Sequence, residues 1–228
     1  MRGMTKAFGV TLAACLLCGA PTAMAETPAA AAAVEPAPAG LNFLHHVTIS
    51  VDVQAKLDQA RTMVQEGKDL PMAIEMLHEI EKLSPDLTEA FYWEAVAHNA
   101  QEEYNAADRA YEKALMIEPD NAGLYYYRGL NYQQQFESYH MFYYRGMADP
   151  FFQHALRLTP DYLDAKIGLA DCKYFDGYYE EAMKSYNQLL ALYPNNSVLQ
   201  TRKEDCQKKL DETEAQEKQR ELKNKINS

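Results

Sequence analysis

Between Thr88 and Pro119 the apolar and small residues fall into two helical stripes. Phe91, Ala95 and His98 recur at spacings of four and three. Ala107, Ala110, Tyr111, Ala114 and Leu115 form a second face, and the polar stretch Glu102 to Asn105 separates the two runs. Such stripes predict a pair of amphipathic helices joined by a short loop. Small residues at Ala95 and Ala107 let the two backbones approach, and Tyr111 fills the space beside them. Related two-helix patterns run through Leu57, Leu70, Ala73, Leu77 and Ile80, through Tyr125, Gly129, Tyr132, Ala148, Phe152 and Ala155, and through Ala170, Tyr179, Ala182, Tyr186 and Leu189. A last stripe, Val198, Leu199, Cys206 and Leu210, fades into Glu, Lys and Gln. It predicts one more helix that covers the final open face and then runs into solvent.

The stripes are in register with four prolines. Pro85, Pro119, Pro160 and Pro194 are spaced by 34, 41 and 34 residues, and each follows an aliphatic helix end. Proline cannot extend a helix, since it lacks the N–H and clashes with the preceding turn. A period near 34 predicts a repeat of helical hairpins. Units are expected at 54–87, 88–121, 122–162 and 163–196, with a lead-in at 41–53 and a capping helix and solvated tail at 197–228. Asp69 before Pro71 predicts a helix start, and Asp149-Pro150 predicts another, late and short, in the third unit. That unit carries seven extra residues. From Leu124 to Phe152 there are eleven aromatics in twenty-nine residues. They either pack a lengthened hairpin or form a binding protrusion through Tyr139, Phe142, Tyr143 and Tyr144, and the two readings are compatible.

These residues resemble the tetratricopeptide repeat. Phe91, Ala95, Tyr104, Ala107, Tyr111, Ala114 and Pro119 match the family pattern, as do Ala170, Gly177, Tyr179, Ala182, Tyr186 and Leu189. Departures are Glu94 for the usual leucine, His98 for the usual aromatic, and Arg61 where a small residue is usual. The resemblance implies an all-α fold, a right-handed helical-hairpin solenoid of about four units, one of them interrupted. It also implies a concave groove lined by the first helix of each unit. Carried over by position, the groove places are Asp58, Thr62 and Gln65, then Glu89, Tyr92, Val96 and Asn99. Tyr126, Leu130 and Gln133 follow, and Asp164, Ile167, Asp171, Tyr174 and Phe175 complete the set. Such a lining suits a peptide with apolar anchors and a basic residue. Alternatively Val96, Leu130 and Ile167 pack between repeats. Members that clasp a C-terminal carboxylate do so with basic side chains, and the corresponding places here are Asp58, Thr62, Trp93, Gly123 and Tyr127. No such clamp is expected.

Charge and termini change the picture in two ways. The chain carries net −11, which disfavours nucleic acid and anionic membrane as partners. Its first 25 residues read as a signal peptide: Arg2 and Lys6, an apolar run from Ala7 to Ala20, and Ala23-Met24-Ala25 before the cut. The run is shorter than a membrane span requires. Export to a periplasm or outside is therefore expected, with no integral membrane segment after processing. An alternative is a lipoprotein anchored at Cys15, within Leu12-Ala13-Ala14-Cys15. Residues 26–40 are Ala- and Pro-rich and read as a disordered linker. Cys172 and Cys206, again 34 apart, are expected to sit a helix-packing distance apart and beyond disulfide reach.

Catalytic motifs are missing from the sequence: there is no G-x-S-x-G elbow, phosphate loop or H-E-x-x-H helix. Adjacent His45-His46 rarely face one ion, so no metal or other cofactor is expected. The reading is a non-enzymatic scaffold that binds a protein or peptide in the cell envelope. Two alternatives are a lipid-anchored accessory subunit of an assembly or secretion machine, and a self-associating structural protein.

Overall fold

The computed structural model describes Leu41, Phe43 and residues 49–139 and 146–226. The leader, the linker, Cys15, His45-His46 and the insertion residues Phe142, Tyr143 and Tyr144 lie outside the described residues. Within the described residues the chain is all-α, with nine helices and no strand. They are α1 (Val51–Glu66), α2 (Leu70–Leu83), α3 (Thr88–Ala100), α4 (Tyr104–Ile117), α5 (Ala122–Tyr139), α6 (Asp149–Leu158), α7 (Leu163–Phe175), α8 (Tyr179–Leu192) and α9 (Ser197–Ile226). The residues group into two compact units, divided after Tyr127 inside α5.

All four prolines sit in one repeated joint. The residue before each proline, Ser84, Glu118, Thr159 or Tyr193, donates its N–H to the carbonyl four residues back and closes the helix. A turn then spans the proline: the N–H of Leu87, Asn121, Tyr162 and Asn196 bonds the carbonyls of Ser84, Glu118, Thr159 and Tyr193 at 3.1–3.2 Å. Proline suits the second place of that turn because its φ is already set. It also pushes the preceding residue out of helical space. Asn121 and Asn196 then start the following helices, their side chains accepting the N–H of Leu124 at 3.3 Å and of Leu199 at 3.0 Å.

Loops inside the hairpins use left-handed backbone. Gly67, Glu102 and Gly177 have φ of 64°, 61° and 80°. Asp69 does precede a helix, but its own φ is 47° and its side chain makes no capping bond. Asp149 lies in the first turn of α6, while Ala148 occupies the cap position without a side-chain bond. Both prolines, Pro71 and Pro150, stand where a missing N–H costs nothing.

In the first unit α1 packs on α2, α2 on α3, α3 on α4, and α1 also on α3. Leu57, Ala60, Ala73, Leu77, Ile80, Ala90, Ala95, Ala107, Ala110, Ala114 and Leu124 are fully enclosed. The number of alanines is what allows close helix approach. In the second unit α6 packs on α7, α7 on α8, and α8 on α9. Phe152 fills the space beside two helical glycines. A Cβ at Gly129 would lie 2.7 Å from the ring, and one at Gly168 2.8 Å. Ile167, Ala170, Ala182, Tyr186, Leu189, Leu199 and Cys206 form a core that includes the capping helix. From Asp211 onward α9 is exposed except at Glu212, with Leu222 and Ile226 open to solvent.

Candidate functional site

In the first unit, Tyr92 of α3 is the centre of an aromatic cluster. Its ring centroid lies 5.1 Å from that of Trp93, 5.3 Å from Tyr127 and 6.3 Å from Tyr111. These separations are those of edge-on and tilted ring pairs. Tyr126 continues the cluster through Tyr127 at 5.1 Å and is itself half-buried. The sixth ring is Phe43, 5.6 Å from Tyr92, which precedes the described helices. Leu41, two residues earlier, is buried at 5% exposure. The lead-in thus adds a ring to the cluster around Tyr92, which is 1% exposed. An i, i+2 apolar pair is the spacing by which an extended chain presents one face.

Polar groups frame the cluster. Asn99 is buried and its amide donates to the Tyr111 hydroxyl at 3.4 Å. Burial first, and then the neighbouring Tyr127, raises the Tyr111 phenol well above its ordinary range. The acidic places are partly answered from within the chain. Arg61 bonds Asp58 at 2.6 Å and approaches Glu89 at 3.5 Å, while Trp93 Nε1 donates to Glu89 at 3.2 Å. Arg61 is thus a bridge between two expected groove acids, which is why a large basic residue stands where the repeat usually has a small one. Val96 is buried, and Thr62 and Gln65 are exposed.

In the second unit the expected places are mostly engaged. Ile167 belongs to the core shared with Leu199 of the capping helix. Asp171 is buried: the Tyr186 hydroxyl donates to its Oδ1 at 2.6 Å, and Arg202 Nε lies 3.2 Å from Oδ2. Burial raises the Asp171 carboxyl, and Arg202, Tyr186 and Gln133 oppose that rise. Gln133 is buried, and Leu130 and Asp164 are half-buried, Asp164 raised by its burial. Tyr174 and Phe175 are half-buried rings, at 5.5 Å from each other, 5.4 Å from Tyr179 and 6.0 Å from Phe136 respectively. Of the insertion, Tyr139 ends α5.

Neither described cysteine, Cys172 or Cys206, is set up as a nucleophile. Both thiols are free and buried. Burial, followed by the charges of Asp149, Asp171 and Asp176, pushes Cys172 up to about 12, so it stays protonated. Cys206 donates to the Tyr179 carbonyl at 3.1 Å. Leu41 and Phe43 are the residues that sequence reasoning missed. Their signal was an apolar pair two apart at the edge of a low-complexity stretch, which has no helical period.

A model of the tetratricopeptide-repeat family matches residues 88–121 and 163–196. The crystal structure of MamA resembles this chain with a TM-score of 0.52 at 23% identity, over 61% of this chain and 77% of that one. A tetratricopeptide repeat protein from Parabacteroides merdae gives 0.61 at 18%, over 70% and 59%. YrrB, described as having an unusual peptide-binding site, gives 0.50 at 18%, over 66% and 74%. No curated protein matches this chain. Among the described residues no helix is long and apolar enough to cross a membrane.

Proposed function

This chain is a tetratricopeptide-repeat protein, and we propose that it is a non-enzymatic scaffold whose first unit binds an extended protein segment carrying two apolar anchors. The observation that carries this reading is the ring of Phe43 against Tyr92, with Leu41, two residues earlier, also buried. The cluster accepts an apolar ring from outside the described helices, and aromatic rings dominate the contact, as at the anchoring points of interfaces. A peptide-binding site in a protein of like fold, YrrB, supports the same class of activity. Tyr126 supplies a half-buried ring next to the cluster where a partner would extend the contact. Asp58 and Glu89 already hold Arg61, so the partner is selected by its apolar anchors more than by basic charge. The signal-like first 25 residues support a working place outside the cytoplasm, in the cell envelope.

The test uses the full chain with Leu41→Ser and Phe43→Ser, and a labelled peptide spanning residues 41–48. Fluorescence anisotropy should report binding to the double variant and at least tenfold weaker binding to the wild type, whose own segment competes. Adding Tyr126→Ala to the double variant should weaken binding again. A double variant that is folded and binds no peptide with two apolar anchors sinks the reading.

A further inference from the structure

The two places where the second repeat departs from its family pattern, Glu94 and His98, meet His78 of α2 in the folded first unit. The three side chains bring one ligand atom each to within 4.8 Å of one another. We propose that His78, Glu94 and His98 form a binding site for a late first-row divalent cation, zinc foremost.

Four features of the geometry point to a cation. First, Glu94 and His98 are one turn apart on α3, so both side chains project from one face, and His78 meets them from the neighbouring helix. Second, the separations fit ligands of a shared ion. His78 Nε2 lies 3.0 Å from Glu94 Oε1, and His98 Nε2 lies 3.8 Å from the same oxygen. The longer distance exceeds a hydrogen bond. Two ligands each about 2.0–2.1 Å from one ion sit roughly 3–4 Å apart, so it suits coordination. His78 is half-exposed, and a small turn of its ring would bring the set, which spreads to 4.8 Å, to coordination distances.

Third, the other ring nitrogen of His98, Nδ1, is 2.7 Å from Glu103 Oε2. A carboxylate behind the ring holds the proton on Nδ1 and leaves the Nε2 lone pair directed at the shared point, which is the arrangement metal-bound histidines favour. Fourth, the two oxygens of Glu94 face different ways, one of them toward the histidines. Lys113 Nζ is 3.4 Å from Glu94 Oε2 and 3.5 Å from Glu81 Oε2, so one ammonium serves two inward carboxyl groups and leaves Glu94 Oε1 to the histidines.

The donor set selects the metal. Two imidazoles and one carboxylate suit zinc, cobalt, nickel or copper, whereas calcium and magnesium prefer all-oxygen sites. Glu94 is nearly enclosed and would anchor the ion, while His78 at the edge leaves a route in from solvent. A cation here would join α2 to α3, the contact between the first and second repeats, and would stiffen the unit that carries the Tyr92 cluster.

Isothermal titration of the full chain with zinc sulfate, after chelator treatment, tests the proposal. One saturable site per chain is expected, with cobalt giving the visible absorption of a nitrogen–oxygen site. His78→Ala and His98→Ala should each weaken binding at least tenfold, and Glu103→Gln should weaken it about tenfold by loosening the His98 ring. A variant carrying both His45→Ala and His46→Ala should bind as the wild type does. If His98→Ala fails to fold, His78→Ala decides alone, because that side chain lies at the surface. The proposal is overturned by non-saturable binding, by binding that His78→Ala leaves unchanged, or by loss of the site in the His45/His46 variant.

Discussion

Arg202 of the capping helix reaches back to Asp171 of α7, its Nε 3.2 Å from a carboxylate that is otherwise buried and bonded to Tyr186. The pair fastens α9 to the last repeat at a point where apolar packing, through Leu199 and Cys206, is already continuous. Breaking a buried pair from one side leaves an uncompensated charge. Arg202→Met should destabilise the second unit by about 1–3 kcal/mol, at the low end because the guanidinium is half-exposed. Hydrogen exchange should show residues 197–210 opening first. Unchanged protection in α9 would mean the apolar contacts alone hold the cap.

Phe152 should make both of its glycine neighbours intolerant of a methyl group. The ring is fully buried, and Cβ atoms at Gly129 and Gly168 would stand 2.7 and 2.8 Å from it. Gly129→Ala and Gly168→Ala each trade a favourable helix propensity for overpacking, and overpacking wins by about 1–3 kcal/mol. Urea unfolding measures the loss. Phe152→Leu combined with Gly129→Ala should recover part of it, since the shorter side chain vacates the space.

Glu102 offers the opposite experiment. It occupies the hairpin place that Gly67 and Gly177 occupy elsewhere, at φ 61°. Left-handed backbone costs a residue with a Cβ about 1 kcal/mol. Glu102→Gly should therefore stabilise the protein by about 0.5–1 kcal/mol, and a lower melting temperature would contradict this.

Stability of the first unit should fall as pH rises from 5.5 to 8.5 in chelated buffer. Burial first, and then the hydrogen bond and charge of Glu94, push Glu81 up from 4.5 to about 7. A folded-state value above the unfolded one contributes stability below pH 4.5, and that stability is lost as pH rises through about 7. His98 is raised from 6.5, chiefly by the Glu94 carboxylate one turn away and with help from Glu103, so its contribution is lost on the same side. Glu94 runs the other way. Burial opposes its ionisation, but His98, Glu81, His78 and Lys113 bring it down to about 2, so its contribution is present above pH 4.5 and is lost only towards pH 2. Unfolding free energies from denaturant titrations across this range should differ by about 1 kcal/mol, and Glu81→Gln should flatten part of the slope. A flat wild-type profile would show that Glu81 and His98 titrate alike in both states.

Much of the fold was open to a reading of the sequence because a repeat writes local rules four times. The proline joints, the alanine-rich facing helices, the late start of α6 and the fading amphipathicity of α9 all follow from chemistry within a turn or two of each residue. Candidate groove places were legible only as positions in a pattern. Tertiary structure decided which of them are occupied by the chain itself: Arg61 between Asp58 and Glu89, Arg202 on Asp171, Phe43 against Tyr92. Apart from Asp58 and Arg61, one turn apart on α1, these contacts join residues that no helical period relates, so periodicity carried no trace of them. The histidine cluster shows the same division. Glu94 and His98 stood out in the sequence as two departures from the repeat, four residues apart. Only the packing of α2 on α3 brought His78 to the same point, because a metal-like site is a property of distances in space.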